Sequence, residues 1–151
     1  MADKFRVLLI CTGNSCRSQM AEGLVRYFMG DRIDVESAGV MPSNVHPDAI
    51  DVMSEMGIDI SNQRSKHVDE FAGQDIDLVI TLCSYAKAVC GIFPWAKEQV
   101  HMGLEDPISA VGSRGDRLEA YRRTRDDIRS QILPFVEERY KGWRLNRQLE
   151  D

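Results

Sequence analysis

Near the start of the chain, Cys11-Thr12-Gly13-Asn14-Ser15-Cys16-Arg17-Ser18 sets a cysteine and an arginine with five residues between them. A thiolate is a strong nucleophile, and a guanidinium grips two oxygens of a tetrahedral oxyanion in a planar fork. Backbone N–H groups of Thr12, Gly13, Asn14, Ser15 and Cys16 can complete the cradle if the loop turns them inward at a helix N-terminus. Gly13 and Asn14 suit such a turn, because both tolerate positive φ. The same field favours a thiolate at Cys11, and Ser18 could donate a hydrogen bond to it. The chemistry implied is nucleophilic attack on a bound oxyanion. A glycine-containing turn with a buried cysteine is the plainer alternative.

The chain has four cysteines, Cys11, Cys16, Cys83 and Cys90. With no export signal in view, they point to reactive thiols or a metal rather than to a disulfide scaffold. Cys83 and Cys90 are set wider than the pairs of structural zinc sites, so no metal is expected. As an isolated pair they would read as small buried hydrophobes. Asp106-Pro107 places a carboxylate beside a residue of fixed φ, a turn or a positioned acid. His46, His67 and His101 are too scattered for a ligand set, and Trp95 and Trp143 read as packing residues.

These residues need elements to hold them. Phe5 to Ile10 is a continuous apolar run, as in a strand buried on both faces of a parallel sheet. Helical spacing follows from Arg17 to about Met29, with Gly30 as a stop. A second strand is expected at Ile33–Ser37, a helix at Pro47–Met56, a third strand at Asp77–Leu82 and a fourth at Gln99–Leu104. Leu118, Tyr121, Ile128, Ile132 and Phe135 mark a long final helix that Pro134 should kink or break. The alternation predicts an α/β fold with an open parallel sheet flanked by helices, whose ligands sit at the carboxyl ends of the strands. Cys11, Cys83 and Asp106 each follow a strand. One domain is expected over 1–141, with 142–151 as a polar, frayed tail.

Composition narrows the class. With 24 acidic and 19 basic residues the net charge is −5, and no basic patch suggests nucleic acid. The opening apolar run is too short for a signal peptide or a membrane span, so a cytoplasmic monomer is expected.

The loop resembles that of the low-molecular-weight protein tyrosine phosphatase superfamily, C-x5-R-S. The string Cys11 to Gly23 (CTGNSCRSQMAEG) is similar to its arsenate reductase branch, as are Ser37-Ala38-Gly39, Gly57-Ile58-Asp59-Ile60-Ser61, Thr81-Leu82-Cys83-Ser84 and Asp106-Pro107. The resemblance implies a four-stranded parallel sheet of flavodoxin-like order, with Cys11 as nucleophile, Arg17 as oxyanion clamp and Asp106 as general acid. It further implies reduction of arsenate through a Cys11 to Cys83 to Cys90 thiol–disulfide relay, with phosphate or sulfate competing. Reduced thioredoxin is the expected donor, and no bound cofactor is expected. Cys83 and Cys90 at helical spacing would lie about 10 Å apart, beyond disulfide reach, so the segment between them must unwind. Cys16 is similar to a family position that tunes the loop or forms an off-path disulfide with Cys11. Some reductases of this type bind potassium through positions matching Asn14, Glu22, Ser37 and an acidic residue where this chain has Lys66. The Lys66 ammonium is expected to take the ion's place. Gly91 stands where related sequences often carry proline.

Phosphate and arsenate are nearly isosteric, so the loop alone leaves a phosphatase open. Phosphatases of the family typically follow Asp-Pro with tyrosines, whereas this chain continues Ile108-Ser109-Ala110. A redox or oxyanion sensor is the third reading.

Overall fold

The computed structural model describes residues 4–150. Within them the chain alternates β1 (Phe5–Cys11), α1 (Arg17–Met29), β2 (Ile33–Gly39), α2 (Pro47–Ser54), β3 (Ile76–Thr81), α3 (Ser84–Cys90), β4 (Ala96–His101), α4 (Arg114–Asp127) and α5 (Leu133–Glu150). The four strands form one parallel sheet in the order β2-β1-β3-β4. β1 lies inside the sheet with helices covering both faces, which is why Leu8, Leu9 and Ile10 are all apolar and all buried. From β1 the chain crosses to β2 on one side and later to β3 on the other. That reversal opens a crevice at the carboxyl ends of β1 and β3, where Cys11 and Cys83 stand.

The fourth strand begins three residues before its expected start, at Ala96 rather than Gln99. It is an edge strand, half covered, and its charged residues are held by ion pairs, Lys97 with Asp77 at 3.3 Å and Glu98 with Arg139 at 2.9 Å. A strand of that kind carries no continuous apolar signal.

The final helix does not break at Pro134. A π-helical segment, Ile128–Ile132, joins α4 to α5, and the Leu133 N–H bonds back to the Ile128 carbonyl. The widened turn brings Pro134 in as the second residue of α5, where its missing N–H and its ring do least harm. The tail expectation is corrected as well: α5 runs to Glu150, because helical spacing continues through Val136, Tyr140 and Trp143. The Trp143 ring packs 5.6 Å from that of Phe5, tying the helix to the first strand. Asp151, the last residue of the expected tail, lies outside the described residues.

α1 is the most deeply buried helix, and Gly23 lets it sit against Ile60. A Cβ there would lie 2.5 Å from Ile60 Cγ2 and 3.2 Å from Met53 Cε. Gly23→Ala should therefore cost about 1–2 kcal/mol in urea unfolding, the overpacking outweighing the helical gain of about 1 kcal/mol from alanine.

Candidate active site

Cys11 ends β1 and Arg17 begins α1, so the loop between them is held by a strand at one end and a helix at the other. Its carbonyls face outward. That of Thr12 accepts the Met41 N–H at 2.8 Å, that of Gly13 the Ser43 N–H at 3.0 Å, and that of Ser15 the His46 N–H at 3.0 Å. The Asn14 carbonyl accepts Gln19 Nε2 at 3.0 Å. In a trans peptide the N–H opposes the C=O, so the amides of residues 13–16 turn to the inside. Asn14 alone among the loop residues takes positive φ, +48°. Gly13 does not, and a Cβ there would make only ordinary contact with Ser43 at 3.5 Å, so the left-handed turn expected of both falls to Asn14. Gly39 is demanded by the loop's approach: a Cβ on it would lie 2.6 Å from the Thr12 carbonyl oxygen and 2.8 Å from the Asn14 nitrogen.

A buried chain of polar side chains runs from Cys11 to Lys66. Cys11 Sγ lies 2.8 Å from Ser18 Oγ, and Ser18 Oγ accepts Asn14 Nδ2 at 2.7 Å, which leaves the Ser18 hydroxyl proton for the sulfur. Asn14 Nδ2 also donates to Ser37 Oγ at 2.9 Å, and Ser37 donates to Glu22 Oε1 at 2.6 Å. Asn14 Oδ1 accepts the Lys66 backbone N–H at 2.9 Å. The Glu22 carboxylate, itself buried, pairs with Arg26 at 2.6 Å and with Lys66 Nζ at 3.6 Å, while Lys66 Nζ reaches Glu36 at 3.1 Å. The four residues Asn14, Glu22, Ser37 and Lys66 are thus brought together, with an ammonium among them. Glu36, which closes the cluster from β2, carried no signal in the sequence.

Arg17 is buried, and its guanidinium meets Asp106 at 3.3 Å and the Leu104 carbonyl at 3.3 Å. Asp106 precedes a short 3-10 turn, Pro107–Ser109, and its other carboxylate oxygen accepts the Ile108 N–H at 3.1 Å. A cavity of about 210 Å³ opens above Cys11 and Arg17, with Ser43, Asp106 and Ile108 at its mouth. Ser43 was not among the residues singled out from sequence, because a serine in a connecting loop has no distinguishing pattern. A larger cavity of about 580 Å³ lies beside Glu22 and Lys66 but holds no thiol.

Cys83 caps α3: its sulfur accepts the Ala86 N–H at 3.4 Å and lies 3.1 Å from Thr12 Oγ1. Thr12 therefore directs its side chain to Cys83, and its carbonyl is taken by the Met41 N–H. Cys90 ends the same helix, half-buried, and burial pushes its thiol up. Gly91 follows with φ +59° and ψ −121°, a conformation open to glycine and closed to proline. Cys16 is buried behind the loop, 3.4 Å from Tyr121 Oη, and burial raises its thiol to about 11. All four cysteines are free thiols.

The histidines serve locally. His46 and His67 cap helical turns through Nδ1, and His101 Nδ1 lies 2.9 Å from Thr81 Oγ1. Among the described residues no three His, Cys, Asp or Glu side chains gather as a metal site, and no helix is long and apolar enough to cross a membrane.

Comparison with known proteins agrees with this architecture. An arsenate reductase of Halalkalibacterium halodurans is 47% identical over 131 residues, covering 87% of this chain and 94% of the relative. A solved arsenate reductase in a phosphate-binding state superposes with a TM-score of 0.73 at 37% identity, over 89% of this chain and 98% of that one. A thioredoxin-dependent arsenate reductase of Corynebacterium glutamicum gives a TM-score of 0.68 at 27% identity, over 91% of this chain and 64% of that one. Residues 6–148 match the low molecular weight phosphotyrosine protein phosphatases, and the chain belongs to that family.

Proposed function

We propose that the protein is a single-domain, cytoplasmic arsenate reductase acting as a monomer, with thioredoxin as its electron donor and no nucleic-acid or membrane partner. The observation that carries this reading is the second thiol beside the loop: Cys83 Sγ lies 3.1 Å from Thr12 Oγ1, next to the nucleophile, and Cys90 waits at the other end of the same helix. Hydrolysis of a phosphomonoester needs neither, whereas reduction of arsenic by two electrons needs a further thiol to join Cys11 in a disulfide, and a third to carry that disulfide away from the loop.

In this reading arsenate sits on the amides of residues 13–16 with Arg17 gripping two of its oxygens. Cys11 attacks arsenic, and a hydroxide leaves as water on taking a proton from Asp106. Arg17 must turn from Asp106 to the anion, which frees that carboxyl to act as the acid. The Cys83 thiolate then attacks the Cys11 sulfur. The S–As bond breaks with its electron pair on arsenic, arsenite leaves, and a Cys11–Cys83 disulfide remains. Cys90 attacks the Cys83 sulfur and expels the Cys11 thiolate, so the oxidation ends as Cys83–Cys90. Because α3 is helical throughout, its two cysteines stand about 10 Å apart along the axis and must come within about 7 Å. α3 therefore unwinds, which carries the disulfide outward to a dithiol donor. The Lys66 ammonium supplies beside Glu22 the positive charge that potassium supplies in reductases with an acidic residue at that position.

Arsenate-dependent NADPH oxidation coupled through thioredoxin and thioredoxin reductase should be supported by the wild-type protein and abolished by Cys83→Ser and by Cys90→Ser. Brisk p-nitrophenyl phosphate hydrolysis with no arsenate turnover would instead identify a phosphatase. Because burial raises the Cys90 thiol, conversion of Cys11–Cys83 to Cys83–Cys90 should quicken with pH through and beyond the ordinary thiol range of about 8.5; alkylation quenching measures this, and a plateau below that range would contradict it. Replacing sodium by potassium chloride at constant ionic strength should leave kcat/KM unchanged, and clear potassium activation would remove Lys66 from this role.

A further inference from the structure

α3 is a short helix between two firmly held ends. On one side Leu82 donates its N–H to the Ile10 carbonyl at 2.8 Å and accepts the Leu104 N–H at 2.9 Å, which fixes the chain just before Cys83. On the other, Phe93 is buried, its ring lies 4.7 Å from that of Trp95, and its carbonyl accepts the Ala96 N–H at 3.1 Å. Between them Ala86 is buried but Tyr85 and Val89 are exposed, so little apolar surface holds the helix itself.

A clasp secures the second end. Gln99, partly buried on the edge strand β4, accepts the Phe93 N–H through Oε1 at 2.9 Å and donates through Nε2 to the Gly91 carbonyl. A side-chain amide suits this task, since one planar group supplies an acceptor and a donor together. The Gly91 N–H, in contrast, bonds back to the Lys87 carbonyl at 3.1 Å and closes α3. The Gly91 Cα is therefore a boundary: the peptide group before it belongs to the helix, and the carbonyl after it is held by Gln99. A Cβ on Gly91 would meet nothing within 4 Å, so glycine is required there by φ +59° and not by space. A cleft of about 440 Å³ bounded by Thr81, Lys87, Ile92 and His101 lies beside this turn and leaves room for movement.

We infer that Gln99 is a positioning residue that anchors the chain just beyond Cys90, so that α3 unwinds about Gly91 as a pivot and Cys90 swings to Cys83 while Phe93 stays in place. The inference rests on the reductase reading, since it concerns how the third thiol of that relay reaches the second. With the Gly91 Cα held, the Cys90 Cα stays about 3.8 Å from a fixed point, and a swing on that radius covers the roughly 3 Å between a helical spacing of about 10 Å and a disulfide reach of about 7 Å. The Cys90 thiolate then attacks the Cys83 sulfur, the bond to Cys11 breaks, and Cys11 leaves as a thiolate. Without the clasp, the free stretch beyond Cys90 grows from one residue to about three. Effective concentration falls roughly as the −3/2 power of that length, to about one fifth.

Amide hydrogen exchange followed by NMR on the full-length protein, in its reduced and Cys83–Cys90 forms, tests the anchor directly. Oxidation should speed exchange at Lys87 and Gly91, whose N–H groups are bonded within α3, while the Phe93 amide keeps its protection. Loss of Phe93 protection on oxidation of wild type would overturn the inference, because the clasp would then be a latch that opens. Rapid quenching after one equivalent of arsenate, with disulfides mapped by non-reducing peptide mass spectrometry, supplies the kinetic half. Gln99→Ala should form Cys11–Cys83 at the wild-type rate and convert it to Cys83–Cys90 about fivefold more slowly. A residue that merely supported the fold would slow both steps or neither, and equal conversion rates would overturn the inference. Should Gln99→Ala fail to fold, exchange in wild type decides alone. Hydrogen peroxide separates this result from the reductase reading: the Cys11 thiolate attacks it to give a sulfenic acid and hydroxide, and the Cys83 thiolate displaces hydroxide from that sulfur to form Cys11–Cys83. If peroxide-driven conversion depends on Gln99 as stated while arsenate is not turned over, the reductase reading fails and the anchor stands. If arsenate is turned over and conversion is indifferent to Gln99, the anchor fails and the reductase reading stands.

Discussion

Asn14 carries the loop. Held at φ +48°, it offers one side-chain amide to Ser18 and Ser37, accepts the Lys66 backbone N–H, and gives its carbonyl to Gln19. Four groups from three parts of the chain thus fix one residue in a conformation that costs free energy on its own. Removing that residue would leave several buried donors and acceptors without partners at once. The inward amides, the Cys11 sulfur and the Ser18 hydroxyl all take their places from this fixed point.

Behind Asn14 sits a more expensive arrangement. Glu22 is a buried carboxylate whose oxygens meet Ser37, Arg26 and Lys66. Taking charges out of water costs several kcal/mol per ion, and such clusters rarely add net stability against apolar packing. Their value here is geometric. Among the described residues no buried side-chain nitrogen or oxygen lacks a hydrogen-bond partner, so the network holds one arrangement as far as Ser18 and Cys11. Once formed it also resists partial removal, since deleting one charge strands the others.

The thiols follow from the same economy of position. The two ends of α3 hold their cysteines apart, and the Gly91 turn stops the helix just after Cys90. Cys83 and Cys16 are both N-cap residues close to Cys11, yet the Cys83 sulfur accepts a helix N–H and meets the Thr12 hydroxyl, while the Cys16 sulfur makes no capping bond and meets the hydroxyls of Tyr121 and Ser15. Reactivity is assigned by surroundings and not by residue type or by distance along the chain.

Much of this was legible in the amino-acid sequence. The apolar run from Phe5 to Ile10 and the helical spacing after Arg17 fix a strand–loop–helix unit, and the spacing of Cys11 from Arg17 places both on one loop, because these are local properties that period and turn chemistry decide. The bounds of the edge strand β4 and the π segment before Pro134 were not legible, since each depends on partners elsewhere: ion pairs with Asp77 and Arg139 for the strand, a widened turn for the proline. The continuation of α5 to Glu150 likewise owes more to Trp143 packing on Phe5 than to its polar composition. Sequence alone marked the candidate residues and the elements on which they sit. Only the tertiary structure decided that Asn14 rather than Gly13 makes the left-handed turn, that Thr12 turns to Cys83, that Glu36 joins Lys66 and Glu22, and that Tyr121 reaches Cys16, because each depends on contacts with residues far apart in the chain, set by packing and desolvation that no local pattern encodes.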